Sequence, residues 1–187
     1  MSTVVIAHSF GSDGTSAWHP QARRDLEALG HTVKVPDLPD TNAPQPKAWK
    51  AAFADHTRAS APQDTILVGH SIGGVNVLRF LEEHDPTAGA FAGVVLVATP
   101  AHEVGYEALA AFFDKPFDWH SISRAASHFR VLVAADDPVL VPDPFEHAAI
   151  LVQALQATAT ARPSGAHFMD PELPGLVELV EQIPTQG

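Results

Sequence analysis

The sequence predicts an α/β fold in which helices cover both faces of a parallel β-sheet. Six short runs of β-branched and other apolar residues alternate with longer stretches at helical spacing along the 187 residues. Most of these runs are apolar throughout, which indicates strands buried on both faces. No convincing linker interrupts the pattern, so we expect one domain over residues 1–187.

The first half of the chain supplies three strands and three helices in alternation. We predict strands at 3–8, 32–35 and 65–69, and helices at 18–29, 47–59 and 72–83. Gly30 follows the first helix, where glycine is favoured because a helix commonly ends in a left-handed conformation.

The second half continues the alternation less regularly. Strands are predicted at 93–98, 130–134 and 158–162, and helices at 144–155 and 173–183. Residues 100–128 are irregular and rich in aromatics, which are expected to form a low lid or pocket wall, or equally part of the core. A large cap domain does not fit in a chain of this length.

Composition excludes several classes of function. The chain has 11 Lys+Arg against 22 Asp+Glu, a net charge of −11, which argues against nucleic acid or a membrane surface as partner. The absence of cysteine excludes disulfides, thiolate nucleophiles and Cys-based metal sites. The first apolar run is too short for a signal peptide, so a cytoplasmic protein is expected.

A Gly-His-Ser-Ile-Gly sequence at residues 69–73 lies between the predicted strand 65–69 and helix 72–83. In this context G-x-S-x-G is the pattern of a nucleophile elbow, a sharp turn that presents a serine above the carboxyl edge of the sheet. The positive end of the following helix points at the site, where negative charge develops in acyl transfer. Ser71 is therefore the predicted nucleophile.

The alternative for this motif is a glycine-rich turn that binds phosphate or only packs tightly. Neither G-x-x-x-x-G-K-[ST] nor G-x-G-x-x-G occurs in the chain, which disfavours a phosphate loop or a dinucleotide site. The strand and helix on either side of the motif favour the nucleophile.

A serine nucleophile needs a base and an orienting carboxylate, which follow it in the order acid, then His. Asp136 and Asp137 follow the strand 130–134, and His167 follows the last predicted strand. Both loops should lie at the sheet edge that carries Ser71, because a parallel sheet places the carboxyl ends of its strands together. We predict His167 as base and favour Asp137 as acid, with Asp136 as the alternative.

The oxyanion of the tetrahedral intermediate needs two backbone N–H donors. One is predicted at Ile72, directly after the nucleophile, and the other at Phe10 in the loop after the first strand, with Ser9 as the alternative. We expect the adjoining substrate pocket to include Ser9, His70, Phe112 and Trp119. His102, His120 and His128 are too loosely spaced to predict a metal site.

The chain resembles the small α/β-hydrolases of the retinoblastoma-binding protein nine type nearly end to end. The resemblance rests on the 69–73 elbow, the Lys-Pro-Phe-Asp-Trp-His segment at 115–120, the Asp-Asp-Pro turn at 136–138 and Gly-Ala-His-Phe at 165–168. It implies a Ser71, Asp137 and His167 triad that hydrolyses small esters or amides without a cofactor. It also implies a compact hydrolase core, with a six-stranded sheet in the order 2-1-3-4-5-6.

The sequence therefore predicts a serine hydrolase that cleaves small carboxylic esters, with amides as a further substrate class, through an acyl-enzyme intermediate. The expected partner is a small-molecule substrate, and no metal or cofactor is predicted. A non-catalytic protein-binding module on a hydrolase fold is the alternative. A third hypothesis is a flavin- or nucleotide-binding protein that uses the same loops.

Overall fold

A computed structural model describes residues 1–184 of the chain, and the last three residues of the predicted domain, 185–187, lie outside the described residues. One six-stranded sheet forms the centre, with strand order β2-β1-β3-β4-β5-β6 and every pair parallel. The predicted α/β architecture and strand order are confirmed. The strands are β1 (Thr3–Ala7), β2 (Thr32–Lys34), β3 (Thr65–His70), β4 (Gly93–Val97), β5 (Phe129–Ala134) and β6 (Thr158–Arg162).

Burial along the strands follows their place in the sheet. Every residue of β3 and β4, at the centre, is buried, as their continuous apolar runs predict. The edge strand β6, Thr-Ala-Thr-Ala-Arg, is mostly exposed, which explains why its sequence signal is weaker. The Gly-His-Ser-Ile-Gly motif at 69–73 therefore begins at the end of a fully buried central strand.

The helices lie in two layers, as their mutual contacts show. In one layer α2, α3, α4 and α5 contact each other in series, and α1 contacts α6 in the other. This arrangement gives the predicted cover on both faces of the sheet. Within residues 1–184 the helices are α1 (His19–Ala28), α2 (Pro46–Thr57), α3 (Ile72–Leu81), α4 (Trp119–Ala125), α5 (Pro144–Leu155) and α6 (Leu176–Glu181).

The segment 100–128 is more regular than its sequence predicts. It contains a 3₁₀-helix, Glu107–Phe113, and the short helix α4, whose N-terminus is capped by the Asp118 side chain. Arg79 of α3 donates hydrogen bonds to three carbonyl oxygens of this segment, those of Phe112, Lys115 and Pro116. Its guanidinium also stacks over Phe117 at 4.0 Å. Because one buried guanidinium organises the segment, local periodicity carries little information about its structure.

The C-terminal helix is shorter than predicted. It begins at Leu176 rather than at residue 173, because Gly175 has a left-handed φ of 89° and cannot be part of a right-handed helix in this conformation.

Across residues 1–184, every helix is too short or too polar to cross a bilayer.

Candidate active site

Ser71 occupies the sharp turn between β3 and α3, with φ 55° and ψ −124°. This region of backbone space is unfavourable for a residue with a Cβ and costs on the order of 1–3 kcal/mol. Two hydrogen bonds hold the turn: the Ser71 N–H donates to Val97 O at 2.8 Å, and the Ser71 carbonyl accepts from Gly74 N at 2.9 Å. The serine is therefore fixed at the carboxyl edge of the sheet, as an elbow requires.

The glycines around Ser71 are required by close backbone packing. A Cβ on Gly69 would lie 2.3 Å from Gly74 Cα, and one on Gly73 would lie 2.4 Å from the carbonyl oxygens of Ala7 and His8. These neighbours are backbone atoms that cannot move aside. The G-x-S-x-G pattern is thus explained by the approach of α3 to β1 and β3.

The structure brings Ser71, His167 and Asp137 together in one chain of hydrogen bonds. His167 Nε2 lies 2.7 Å from Ser71 Oγ, and His167 Nδ1 lies 2.8 Å from Asp137 Oδ2 and 3.1 Å from Oδ1. An ionised Asp137 only accepts, so it assigns the proton to Nδ1 and leaves Nε2 to accept from the serine hydroxyl. This arrangement can move a proton from the hydroxyl to the imidazole.

Asp137 is held in place by its own loop. Its Oδ1 accepts hydrogen bonds from the N–H groups of Val139 at 2.8 Å and Leu140 at 3.2 Å, and its side chain is fully buried. The buried carboxylate is thus satisfied by three donors, counting His167, and its orientation toward the imidazole is fixed.

Asp136, the alternative acid, points elsewhere. Its Oδ1 accepts from the N–H of Ala166 at 2.8 Å, in the loop that carries His167. The two neighbouring aspartates therefore both contact the histidine loop: one holds its backbone and the other contacts the imidazole. Of the pair, only Asp137 is hydrogen-bonded to His167 among the residues described.

His70 was predicted to line the substrate pocket. Its side chain is instead fully buried, and it does not line the cavity beside Ser71. Its Nε2–H donates to the backbone carbonyl of His167 at 2.8 Å. Burial, with the nearby His167, lowers the pKa of His70 to about 3, so the ring is neutral at neutral pH. The residue before Ser71 thus anchors the loop that carries His167.

The loop after β1 is held by His8. Its Nε2 accepts from the Leu38 N–H at 2.9 Å, so Nδ1 carries the proton and donates to Ser9 O at 3.0 Å. This bond fixes the peptide plane between Ser9 and Phe10. Because the peptide is trans, the Phe10 N–H points in the direction opposite to the Ser9 carbonyl. Within residues 1–184, the N–H groups of Phe10 and Ile72 have no hydrogen-bond acceptor, so both can donate to a ligand oxygen.

A cavity of about 200 Å³ opens beside Ser71. Phe112 and Trp119, which were predicted to line the substrate pocket, do not line this cavity: Phe112 is buried against Trp49, and Trp119 packs on Phe117. Each aromatic was a plausible wall by composition, but the Arg79 contacts direct that part of the segment toward α3. The cavity is lined by Ser9, Phe10, Ser71, Tyr106, Leu109, Val139, His167 and Met169.

Sequence reasoning missed four of these lining residues, although two of them had a visible signal. Val139 and Met169 each lie two residues after a predicted site residue, in loops already placed at the correct sheet edge. Tyr106 and Leu109 lie in the segment 100–128, which was predicted to form a low lid or pocket wall or, equally, part of the core. No set of three His, Cys, Asp or Glu side chains in the described part of the chain is arranged to hold a metal ion.

Comparison with known proteins shows the family to which the chain belongs. The profile of the serine hydrolase family matches residues 3–172, so the chain belongs to that family. The resemblance to the retinoblastoma-binding protein nine type is confirmed: the chain is 24% identical over 186 residues to serine hydrolase RBBP9 of Rattus norvegicus, covering 97% of this chain and 95% of that one.

Two further comparisons concern Bacillus subtilis. YdeN of strain 168, whose name provisionally describes it as a hydrolase, is 28% identical over 172 residues, covering 90% of this chain and 87% of that protein. The crystal structure of the ydeN gene product from B. subtilis superposes with a TM-score of 0.90 at 25% identity, covering 98% of both chains. The fold is therefore that of the α/β-hydrolases.

Proposed function

We propose that this protein hydrolyses small carboxylic esters, with amides as a further class, through a Ser71, Asp137 and His167 triad. The observation that carries the proposal is the 2.7 Å contact between His167 Nε2 and Ser71 Oγ, with Asp137 on the other ring nitrogen. A serine hydroxyl becomes a useful nucleophile only when an oriented base takes its proton.

The reaction proceeds in two acyl-transfer steps. Ser71 Oγ attacks the substrate carbonyl while His167 Nε2 takes the hydroxyl proton, and Asp137 stabilises the resulting imidazolium. The oxyanion accepts hydrogen bonds from the N–H groups of Phe10 and Ile72. His167 then protonates the departing alcohol. In the second step water attacks the acyl-enzyme while His167 takes a proton from it, and His167 returns that proton to Ser71 Oγ as the acid leaves.

The arrangement of the buried groups favours catalysis over a non-catalytic binding role. Asp137 is buried with three hydrogen-bond partners, and Ser71 is kept in a strained conformation. A binding surface needs neither the strain nor a buried carboxylate, both of which lower stability unless they are compensated.

The test compares Ser71→Ala with the parent on short p-nitrophenyl esters. We expect kcat/KM to fall by at least about 10⁴-fold, because removal of the nucleophile from a triad typically has this effect. Ser164→Ala, an exposed serine of the histidine loop, is the matched control and should keep parent activity. Ester turnover at the parent rate by a folded Ser71→Ala protein would refute the proposal.

A further inference from the structure

The cavity beside Ser71 is lined by side chains from four different loops that share one chemical character. Phe10, Tyr106, Leu109, Val139 and Met169 supply mostly carbon and sulfur surface around Ser71 and His167, and the Tyr106 hydroxyl is the one polar side-chain group among them. The remaining lining residue, Ser9, directs its hydroxyl to Met169 Sδ at 3.9 Å. The substrate group bound here therefore meets a largely apolar wall.

No lysine, arginine, aspartate or glutamate lines this cavity among the residues described. The nearest carboxylate in the chain of hydrogen bonds, that of Asp137, is fully buried and engaged by His167, Val139 and Leu140. A charged substituent close to the scissile carbonyl would thus lose water without gaining a counter-ion. Desolvation of an unpaired charge is strongly unfavourable.

The cavity is also small and has an apolar rim. Its volume of about 200 Å³ is below the roughly 300–1,000 Å³ of sites for drug-sized ligands. Leu109 is buried, whereas Phe10, Tyr106 and Met169 are 36%, 48% and 51% exposed. Large apolar side chains exposed around one opening are typical of a binding surface rather than of the remaining protein surface.

We propose that the site selects esters whose acyl group is short, apolar and uncharged, and that Leu109, Tyr106 and Met169 determine this selectivity. The inference rests on the proposed function, since it describes the substrate class of the same site. It excludes acyl groups that carry an ammonium or a carboxylate near the reacting carbonyl.

The first experiment separates charge from shape. Two phenyl esters are compared whose acyl chains end in a tert-butyl group or in its trimethylammonium isostere. We expect the neutral ester to be favoured at least tenfold in kcat/KM, although the net charge of −11 would attract the cation in bulk solution. Equal or faster turnover of the cationic ester would overturn the proposal.

A pair of variants locates the selectivity. Met169→Glu places a carboxylate at the rim and should reduce the preference for the neutral ester by about tenfold. Phe145→Glu is the matched control, because Phe145 is 44% exposed but does not line the cavity. An unchanged preference in Met169→Glu, or an equal change in both variants, would contradict the assignment.

A chain-length series tests the size of the cavity. With p-nitrophenyl acetate, butyrate, hexanoate and decanoate, kcat/KM should peak at four to six carbons and fall at least tenfold at decanoate. Tyr106→Ala should extend the range to longer chains. A flat series in the parent would contradict the inference.

Fluorophosphonate labelling distinguishes failure of this inference from failure of the proposed function. If Ser71 is labelled but the selectivity is absent, the substrate class is wrong and the hydrolase proposal stands. If no ester is turned over and Ser71 is not labelled, both proposals are wrong.

Discussion

The Nε2–H of the fully buried His70 donates a hydrogen bond to the backbone carbonyl of the half-buried His167 at 2.8 Å. The bond connects the residue that precedes the proposed nucleophile, Ser71, directly to the proposed base, His167. His167 comes from the loop after β6, three strands from β3, a distance of roughly 14 Å at ordinary strand spacing. The hydrogen bond from His70 fixes the backbone of His167 at this distance from its own strand and so keeps the imidazole beside Ser71.

His70 is therefore expected to act as a positioning residue. The effect of a substitution should depend on whether the new side chain is long enough to donate to the His167 carbonyl. His70→Gln can place an amide N–H near the original Nε2, whereas His70→Asn places it nearer to the backbone. We expect kcat to fall about 10²-fold in His70→Asn, because small displacements of a catalytic group have effects of this size. His70→Gln should stay within about tenfold of the parent, as measured by steady-state ester hydrolysis.

Rescue by glutamine is the readout that a purely structural role would not give. Both amides bury a similar polar group, so thermal unfolding of the two variants should be comparable. If asparagine and glutamine reduce kcat equally, the carbonyl contact does not position His167.

The two neighbouring aspartates should separate clearly by mutation. Asp137→Asn removes the carboxylate that fixes the His167 tautomer and should lower kcat by about 10⁴-fold. Asp136→Asn retains an acceptor oxygen for the Ala166 N–H, so a loss below tenfold is expected. The measurement is kcat for a short p-nitrophenyl ester, and a larger loss in Asp136→Asn would reverse the assignment.

Gly73 should tolerate no side chain, because a Cβ there would lie 2.4 Å from two carbonyl oxygens of the β1 end. We expect Gly73→Ala to lower the free energy of unfolding by about 3 kcal/mol, measured by urea denaturation. Gly105→Asn is the control: its Cβ meets open space, and asparagine tolerates the left-handed φ of 83°. Parent-like stability of Gly73→Ala would show that the elbow is less tightly packed than described.

Stability should decrease as the pH falls below about 6.5, because burial lowers the pKa of four histidines, His8, His19, His70 and His147. Burial is the main cause that lowers the pKa of His70 to about 3 and the pKa of His19 to about 4, from 6.5 in the unfolded chain. Below pH 6.5 the unfolded state therefore binds more protons than the folded state. The contribution of these histidines to stability is complete only above that pH. Each histidine can contribute a slope of up to about 1.4 kcal/mol per pH unit.

Urea denaturation between pH 7.5 and pH 5.5 measures this slope before most carboxylates titrate. His19→Phe should reduce the slope, since it removes one of the four buried histidines that cause it. A free energy of unfolding that is constant over this interval would contradict the prediction.

Much of the fold was predictable from sequence because the signals are local. The continuous apolar runs of β3 and β4 identify buried parallel strands, and the glycines at 69, 73 and 74 mark the sharp turn at Ser71. The order of the parallel strands then places the loops with Asp137 and His167 at the same edge.

The remaining features depend on contacts between distant residues. The side chain of Arg79 organises the segment around Phe117, so the aromatic composition there could not show which residues face the site. The same holds for His70, whose partner is a backbone carbonyl 97 residues away. A carbonyl oxygen is present at every residue and leaves no signal in the sequence.

The central claim is that His167 activates Ser71, and the rate of fluorophosphonate modification tests it most directly. Peptide mapping of the treated parent protein should find one adduct, on Ser71. His167→Gln should lower the second-order rate of modification by at least about 10³-fold, because the serine hydroxyl then lacks its base. An adduct on another residue, or parent-rate modification of Ser71 in folded His167→Gln, would contradict the account.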